Sequence, residues 1–204
     1  MKIILVIGLL VVTPILLSGQ RSNQDLITES KAKEAFQKRD FDKALFYFEK
    51  LVNIGEIKGE PKPIYTYNAA LSAKNAGNHQ KAAYYFRKSI DQNYGGSDAY
   101  YLLMREYFTL KDSISALETL KQGFEIYPDT TLILFELINY YLSIGNTDQS
   151  LIYLNMALDK DPNNPTLLFV LPLINEGSND QKKDLNIYRK YLNTDPWFFD
   201  YHDR

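Results

Sequence analysis

The hydrophobic pattern is clearest between residues 131 and 162, where two segments of helical character flank Gly145. From residue 132 to 144 nearly every residue is apolar, which predicts a helix that is covered on more than one side. The second segment instead has a single apolar stripe, formed by Leu151, Leu154 and Leu158. Because glycine often ends a helix and Pro162 cannot continue one, the stretch predicts two antiparallel helices joined by a short turn.

The same pattern recurs along the chain with a period of 34 residues, after a first spacing of 38. Prolines follow this period at positions 128, 162 and 196. One column of mostly small residues is Ala44, Ala82, Ala116, Ser150 and Asp184. A second column, large and apolar, is Phe48, Phe86, Leu120, Leu154 and Tyr188. A small residue allows two helices to approach where they cross, so the columns predict a stack of similar helical hairpins.

This period, with a small residue, a large apolar residue four positions later and a proline eight positions after that, resembles the tetratricopeptide repeat. The resemblance covers about residues 25–196. It implies an all-α fold, a right-handed superhelix or α-solenoid of about five helix-turn-helix units. The units would span about residues 25–53, 64–94, 97–128, 131–162 and 165–196. The fold is used with many partners, so the resemblance specifies architecture rather than function.

Three features depart from a regular repeat. Arg39 and Lys111 stand where the repeat usually has a turn glycine, as Gly77 does. Residues 54–63 contain two glycines and two prolines and are predicted to form an inserted loop. Pro172 lies in the first helix of the last unit, where a proline costs about 3 kcal/mol, so we expect it to kink or break that helix.

Both ends of the chain suggest additional segments. Lys2 and the apolar run from residue 3 to 17 are typical of a secretory signal peptide, residues 1–19, and an uncleaved anchor is the alternative. No cysteine follows the run, so a lipid attachment is not expected. We therefore expect a bacterial protein that is exported to the periplasm or cell envelope. The aromatic residues in the tail 197–204 are predicted to cover the last unit, and a partner motif is the alternative.

Composition argues against chemistry carried by this chain. It has no cysteine, only two histidines and a formal net charge of −2, which gives no general attraction to nucleic acid. His79 is expected in a turn with a packing role, and no carboxylate pair stands out as an acid and a base. We expect no catalytic residue, metal, cofactor or small-molecule substrate.

The candidate binding residues lie in the predicted first helices, which in tetratricopeptide repeats line the concave surface. Four aromatic residues recur at 34-residue spacing: Tyr67, Tyr101, Phe135 and Phe169. A neighbouring, less regular column contains Phe36, Phe108 and Leu142. Exposed aromatic residues are good anchors for an extended peptide or a helix, although they can equally pack one repeat against the next.

Arg105 and Asn139 are expected on the same face, where some members of the family hold a carboxyl terminus with such side chains. The aromatic residues beside them argue against that use here. The sequence therefore predicts a non-catalytic scaffold that binds a peptide or helix of a partner protein, with a possible membrane association through a complex or the N-terminal segment. Two alternatives remain, a structural subunit of an envelope complex held by its convex or terminal surfaces, and an accessory subunit of a partner enzyme.

Overall fold

A computed structural model describes residues 22–175, which form nine α-helices and no strand. The helices are α1 (Asn23–Gln37), α2 (Phe41–Ile57), α3 (Pro63–Asn75), α4 (His79–Asp91), α5 (Gly96–Thr109), α6 (Ser113–Ile126), α7 (Thr131–Ser143), α8 (Thr147–Lys160) and α9 (Pro165–Asn175). Each helix packs on the next one in the chain, so the first eight form four consecutive hairpins. The all-α solenoid is thus confirmed. The predicted signal peptide, the last helix of the fifth unit and the aromatic tail lie outside the described residues.

The turns inside the four hairpins share one construction. The residue before the cap has a positive φ angle in each turn: Arg39 (59°), Gly77 (74°), Lys111 (62°) and Gly145 (78°). The next residue caps the second helix by accepting a hydrogen bond from a backbone N–H three positions later: Asp40, Asn78, Asp112 and Asn146. The left-handed residue ends one helix and the side-chain cap starts the next. Aspartate beside the turns therefore has a structural role, as its position predicts.

Lys111→Gly is expected to raise the free energy of unfolding by about 1 kcal/mol, because a residue with a Cβ pays that much to adopt the left-handed conformation. The Lys111 side chain is exposed, so little else is lost. The matched control is Gly77→Lys in the equivalent turn, which should lower stability by a similar amount. Urea unfolding followed by circular dichroism measures both changes. An unchanged Lys111→Gly variant would show that the turn is not strained.

The column of small residues lies where the helices of a hairpin cross, and its four described members, Ala44, Ala82, Ala116 and Ser150, are fully buried. Ser150 also satisfies its hydroxyl there, since its Oγ donates a hydrogen bond of 3.1 Å to the carbonyl of Ile138. The large apolar column is buried beside it, with Phe48 at 2% exposed and Phe86 at 0%. Both columns therefore form the core that the repeat pattern predicts.

The inserted segment after the first hairpin differs from its prediction. Residues 54–57 belong to α2 and Pro63 begins α3, so the expectation of a loop is wrong for them. Gly55 makes this possible: a Cβ there would lie only 3.1 Å from the carbonyl oxygen of Glu60 and 3.2 Å from the Cα of Pro61. The loop folds back tightly against the last turn of the helix. The Glu60 amide fixes this arrangement with a hydrogen bond of 2.8 Å to the carbonyl of Gly55.

Helix α9 also continues further than the sequence suggests. The helix passes through Pro172 and is described as far as Asn175, so the expected break at the proline is wrong. Leu167, Val170 and Ile174 are all buried, from 0 to 7% exposed, on both sides of the proline. Burying three large apolar side chains contributes more than the missing hydrogen bond costs.

Candidate binding surface

The first helices of the third and fourth hairpins, α5 and α7, contact each other directly. Phe108 of α5 and Tyr140 of α7 form part of this contact, with ring centroids 6.4 Å apart. We call the following residues of these two helices the α5–α7 surface: Tyr101, Arg105, Phe108, Phe135, Glu136, Asn139 and Tyr140. Phe135 packs against the apolar cluster that α7 forms with α8 and α9. The α5–α7 surface contains five of the eight candidate residues, and the structure thereby brings Arg105 and Asn139 to the same pair of helices as three aromatic candidates.

Tyr101 and Arg105 form a pair on α5. Tyr101 is only 5% exposed, which corrects the expectation that its ring projects into the groove. Arg105 Nη1 donates a hydrogen bond of 3.1 Å to the Tyr101 hydroxyl, and the guanidinium carbon lies 5.7 Å from the centroid of the same ring. A hydrogen bond and a cation–π contact thus both hold Arg105. Because Arg105 itself is exposed, Tyr101 supports a cation that faces solvent.

The accessible aromatic area on this surface comes from two other residues. Phe108 is 38% exposed, a large fraction for a phenylalanine, and Phe135 is half-buried. Asn139 is buried, at 9% exposed, and therefore offers little of its side chain to a partner. Phe108 and Arg105 are the exposed residues of this surface, and both lie on α5.

Tyr67 belongs to the packing of the second hairpin. Its ring makes edge contacts with Phe86 and Tyr94, with centroid distances of 5.8 and 5.7 Å. A Cβ at Gly95 would lie 2.7 Å from its Cε2 atom, so the turn before α5 is glycine partly because this ring occupies the space. Burial raises the pKa of Tyr67 to about 12, because the ionised phenolate would lose hydration there.

The two remaining aromatic candidates lie at opposite ends of the described chain. Phe36 is half-buried and makes an edge contact of 5.5 Å with Phe41, across the turn of the first hairpin. Phe169 lies on α9, and its side chain is outside the described residues. The predicted columns therefore do not form one continuous exposed stripe. Among the aromatic candidates whose side chains the structure describes, Phe108 is the exposed one.

Sequence reasoning missed Glu136, the buried acid of the α5–α7 surface. It lies on α7 and is 7% exposed. Burial raises the pKa of Glu136 to about 7, against an opposing effect of the Arg105 charge. A signal was present in the sequence, because Glu136 is the only charged residue from position 130 to 147.

His79 also has a polar contact that the sequence did not reveal. Its Nδ1 lies 2.7 Å from Oε2 of Glu106, which is 4% exposed. The pair connects the start of α4 to α5, so His79 provides a polar partner for a buried acid in addition to packing. The part of the chain that the structure describes contains no group of three histidine, aspartate or glutamate side chains that could hold a metal ion.

Comparison with known proteins gives matches only at the level of structure. No protein-family model and no curated protein matches the sequence. A MamA crystal structure superimposes with a TM-score of 0.64 at 16% identity, covering 87% of this chain and 95% of that one. YrrB, described as a TPR protein with an unusual peptide-binding site, superimposes with a TM-score of 0.60 at 16% identity. The match covers 83% of this chain and 90% of YrrB. BF2334, a TPR repeats protein of Bacteroides fragilis NCTC 9343, superimposes with a TM-score of 0.53 at 15% identity. The match covers 89% of this chain and 80% of BF2334.

The chain has the tetratricopeptide-repeat fold. In a tetratricopeptide-repeat superhelix the first helix of each unit lines the concave side, which here means α1, α3, α5, α7 and α9. The direct contact of α5 with α7 agrees with that arrangement. The fold is typical of protein-interaction scaffolds, and the identities are too low to transfer a partner from any of these proteins. None of the helices within residues 22–175 is long and apolar enough to cross a membrane.

Proposed function

We propose that the protein is a non-catalytic scaffold that binds a peptide or helix of a partner protein on the α5–α7 surface. The observation that carries this proposal is the exposed ring of Phe108 on α5, the helix that also carries Arg105. This ring lies against Tyr140 of α7. Aromatic and arginine side chains are the residue types that most often dominate the energy of interfaces. A flat ring beside a cation suits a partner that combines apolar and polar side chains.

Phe108→Ala and Phe135→Ala are each expected to weaken partner binding by about 2 kcal/mol or more if these rings act as interface anchors. Phe46→Ala is the matched control, because Phe46 is 62% exposed on the second helix α2 and lies away from the proposed surface. Binding is measured by calorimetry with a partner captured from the native envelope, and stability by thermal melting. If Phe108→Ala and Phe46→Ala bind equally well, the proposed surface is wrong.

The proposal includes the location of the protein. We propose that residues 1–19 direct export across a bacterial inner membrane and are removed, so that the protein acts in the periplasm or at the envelope. Protein isolated from the envelope should then begin at or near Gln20, as determined by N-terminal sequencing. Membrane-embedded protein that still begins with Met1 would show that the segment is an anchor.

A second candidate function is supported by a different surface. Phe46 and Tyr84 occupy equivalent positions on the second helices α2 and α4 and are 62% and 58% exposed. Large exposed rings on the convex side suit a structural subunit that is held in an envelope complex through that side. Assembly that survives Phe108→Ala but fails on Phe46→Ala would favour this role. An accessory subunit of a partner enzyme would show activity only after co-purification with that enzyme.

A further inference from the structure

We propose that a cavity at the junction of α4, α5 and α6 receives an acidic side chain, an aspartate or a glutamate, from a partner protein. The cavity has a volume of about 390 Å³, within the range that is usual for binding sites, and it is open to solvent. Its lining residues come from one face of α4 and from α5: Ala83, Tyr84, Arg87, Lys88, Asp91 and Tyr107. None of them belongs to the α5–α7 surface, so this is a second, separate binding site.

Arg87 is the residue that selects an acid. Its Nη1 donates a hydrogen bond of 3.0 Å to Oε1 of Gln122, and its Nη2 donates one of 2.9 Å to Oγ1 of Thr119, both on α6. These acceptors are neutral, and Arg87 forms no ion pair with any acid among residues 22–175. A guanidinium has five N–H donors, so three remain for a ligand. A carboxylate in the cavity therefore gives this half-buried cation the counter-charge that it lacks.

The aromatic wall of the cavity is held in place by its neighbours. Tyr84 is 58% exposed, yet Tyr85 contacts its ring edge-on with centroids 4.9 Å apart, and Lys88 Nζ lies 5.6 Å from its centroid. Lys88 is itself held by an ion pair with Glu56 of α2. An exposed ring that is already ordered loses little conformational freedom when a partner binds to it. The partner residue next to the acid is therefore expected to be apolar.

The other charges around the cavity leave Arg87 as the cation to be matched. The charge of Lys88 is neutralised by Glu56. Asp91 lies one helical turn after Arg87 and is exposed, so solvent hydrates it and screens its repulsion of an incoming acid. The planar guanidinium suits a carboxylate. Because the cavity is open rather than enclosed, it suits a side chain that projects from a larger partner.

A random peptide library displayed on phage provides the probe, selected on the wild-type protein and counter-selected on the Tyr84→Ala, Arg87→Gln double variant. The peptides retained should carry an aspartate or glutamate beside an apolar residue. Replacing that acid by its amide should weaken binding to the wild-type protein by about ten-fold or more. The same replacement should change binding to Arg87→Gln by less than about two-fold, because the cation that the acid meets is gone.

Lys50→Gln is the matched control, since Lys50 is an exposed cation on the second helix α2, and it should retain the full effect of the acid-to-amide replacement. Melting curves establish that each variant is folded, and the amide peptide tests the charge without altering the protein. Counter-selection that retains no peptide overturns the inference, as does an equal loss of binding to wild type and to Arg87→Gln. Displacement of a bound peptide by an equal concentration of free glutamate would assign the cavity to a small carboxylate and overturn it too. The proposed function is tested separately, because none of these variants changes the α5–α7 surface.

Discussion

Gly123→Leu is expected to lower the free energy of unfolding by about 2 to 3 kcal/mol, the cost of overpacking a filled interior. Gly123 lies in α6, where the helix passes between α5 and α7. A Cβ at this position would be 2.9 Å from Cβ of Tyr100 and 3.1 Å from Cδ1 of Ile133. The Tyr100 contact involves an atom next to the backbone, which cannot move without moving α5. A leucine therefore has to separate two helices.

The matched control for this prediction is Lys121→Leu on the exposed side of the same helix. It introduces the same side chain without a clash, and its effect on stability should stay within about 0.5 kcal/mol, as is usual for surface substitutions. Urea unfolding followed by circular dichroism measures both variants. Equal stability of Gly123→Leu and wild type would mean that α6 does not approach α5 and α7 as closely as the structure shows.

Glu136→Gln is expected to stabilise the protein by up to about 3 kcal/mol above pH 7 and to have a much smaller effect near pH 4. Burial raises the pKa of Glu136 in the folded protein from its ordinary value of 4.5 to about 7. Between these two values the folded chain binds the proton more tightly than the unfolded chain does. Wild-type stability therefore falls as the pH rises through this window, and the full cost remains at higher pH.

The measurement is the difference in unfolding free energy between Glu136→Gln and wild type, determined by urea unfolding at intervals from about pH 4 to pH 8. All other titrating groups are present in both proteins and cancel in the difference. The difference should grow steadily between about pH 4.5 and pH 7. A difference that is independent of pH would show that Glu136 is hydrated or paired in the folded protein.

The repeat architecture could be predicted because each of its elements depends on residue size or on local chemistry. A column with Ala82 and Ala116 is small because two helices cross there, and that requirement is visible at a fixed period. The capping residues Asp112 and Asn146 act within three positions of themselves, so no tertiary information is needed to place them. The outline of the hairpins follows from these local signals.

The accessible part of the site could not be predicted in the same way. Tyr67 and Tyr101 occupy the same repeat position as Phe135, yet one ring packs against a neighbouring helix and another lies under an arginine. Exposure depends on what the neighbouring unit places against each ring, and a single column does not contain that information. Glu136 was missed for a related reason, because the repeat pattern directs attention to columns and this acid belongs to none.

The central claim is that a partner protein lies on the α5–α7 surface. Site-specific photo-crosslinking in intact cells tests it most directly, with the photoreactive amino acid p-benzoylphenylalanine in place of Phe108 or, as a matched exposed aromatic position, Phe46. The claim predicts a discrete crosslinked adduct from position 108 and none of the same mass from position 46. An adduct of that mass from position 46 alone would contradict the claim and place the partner on the convex side.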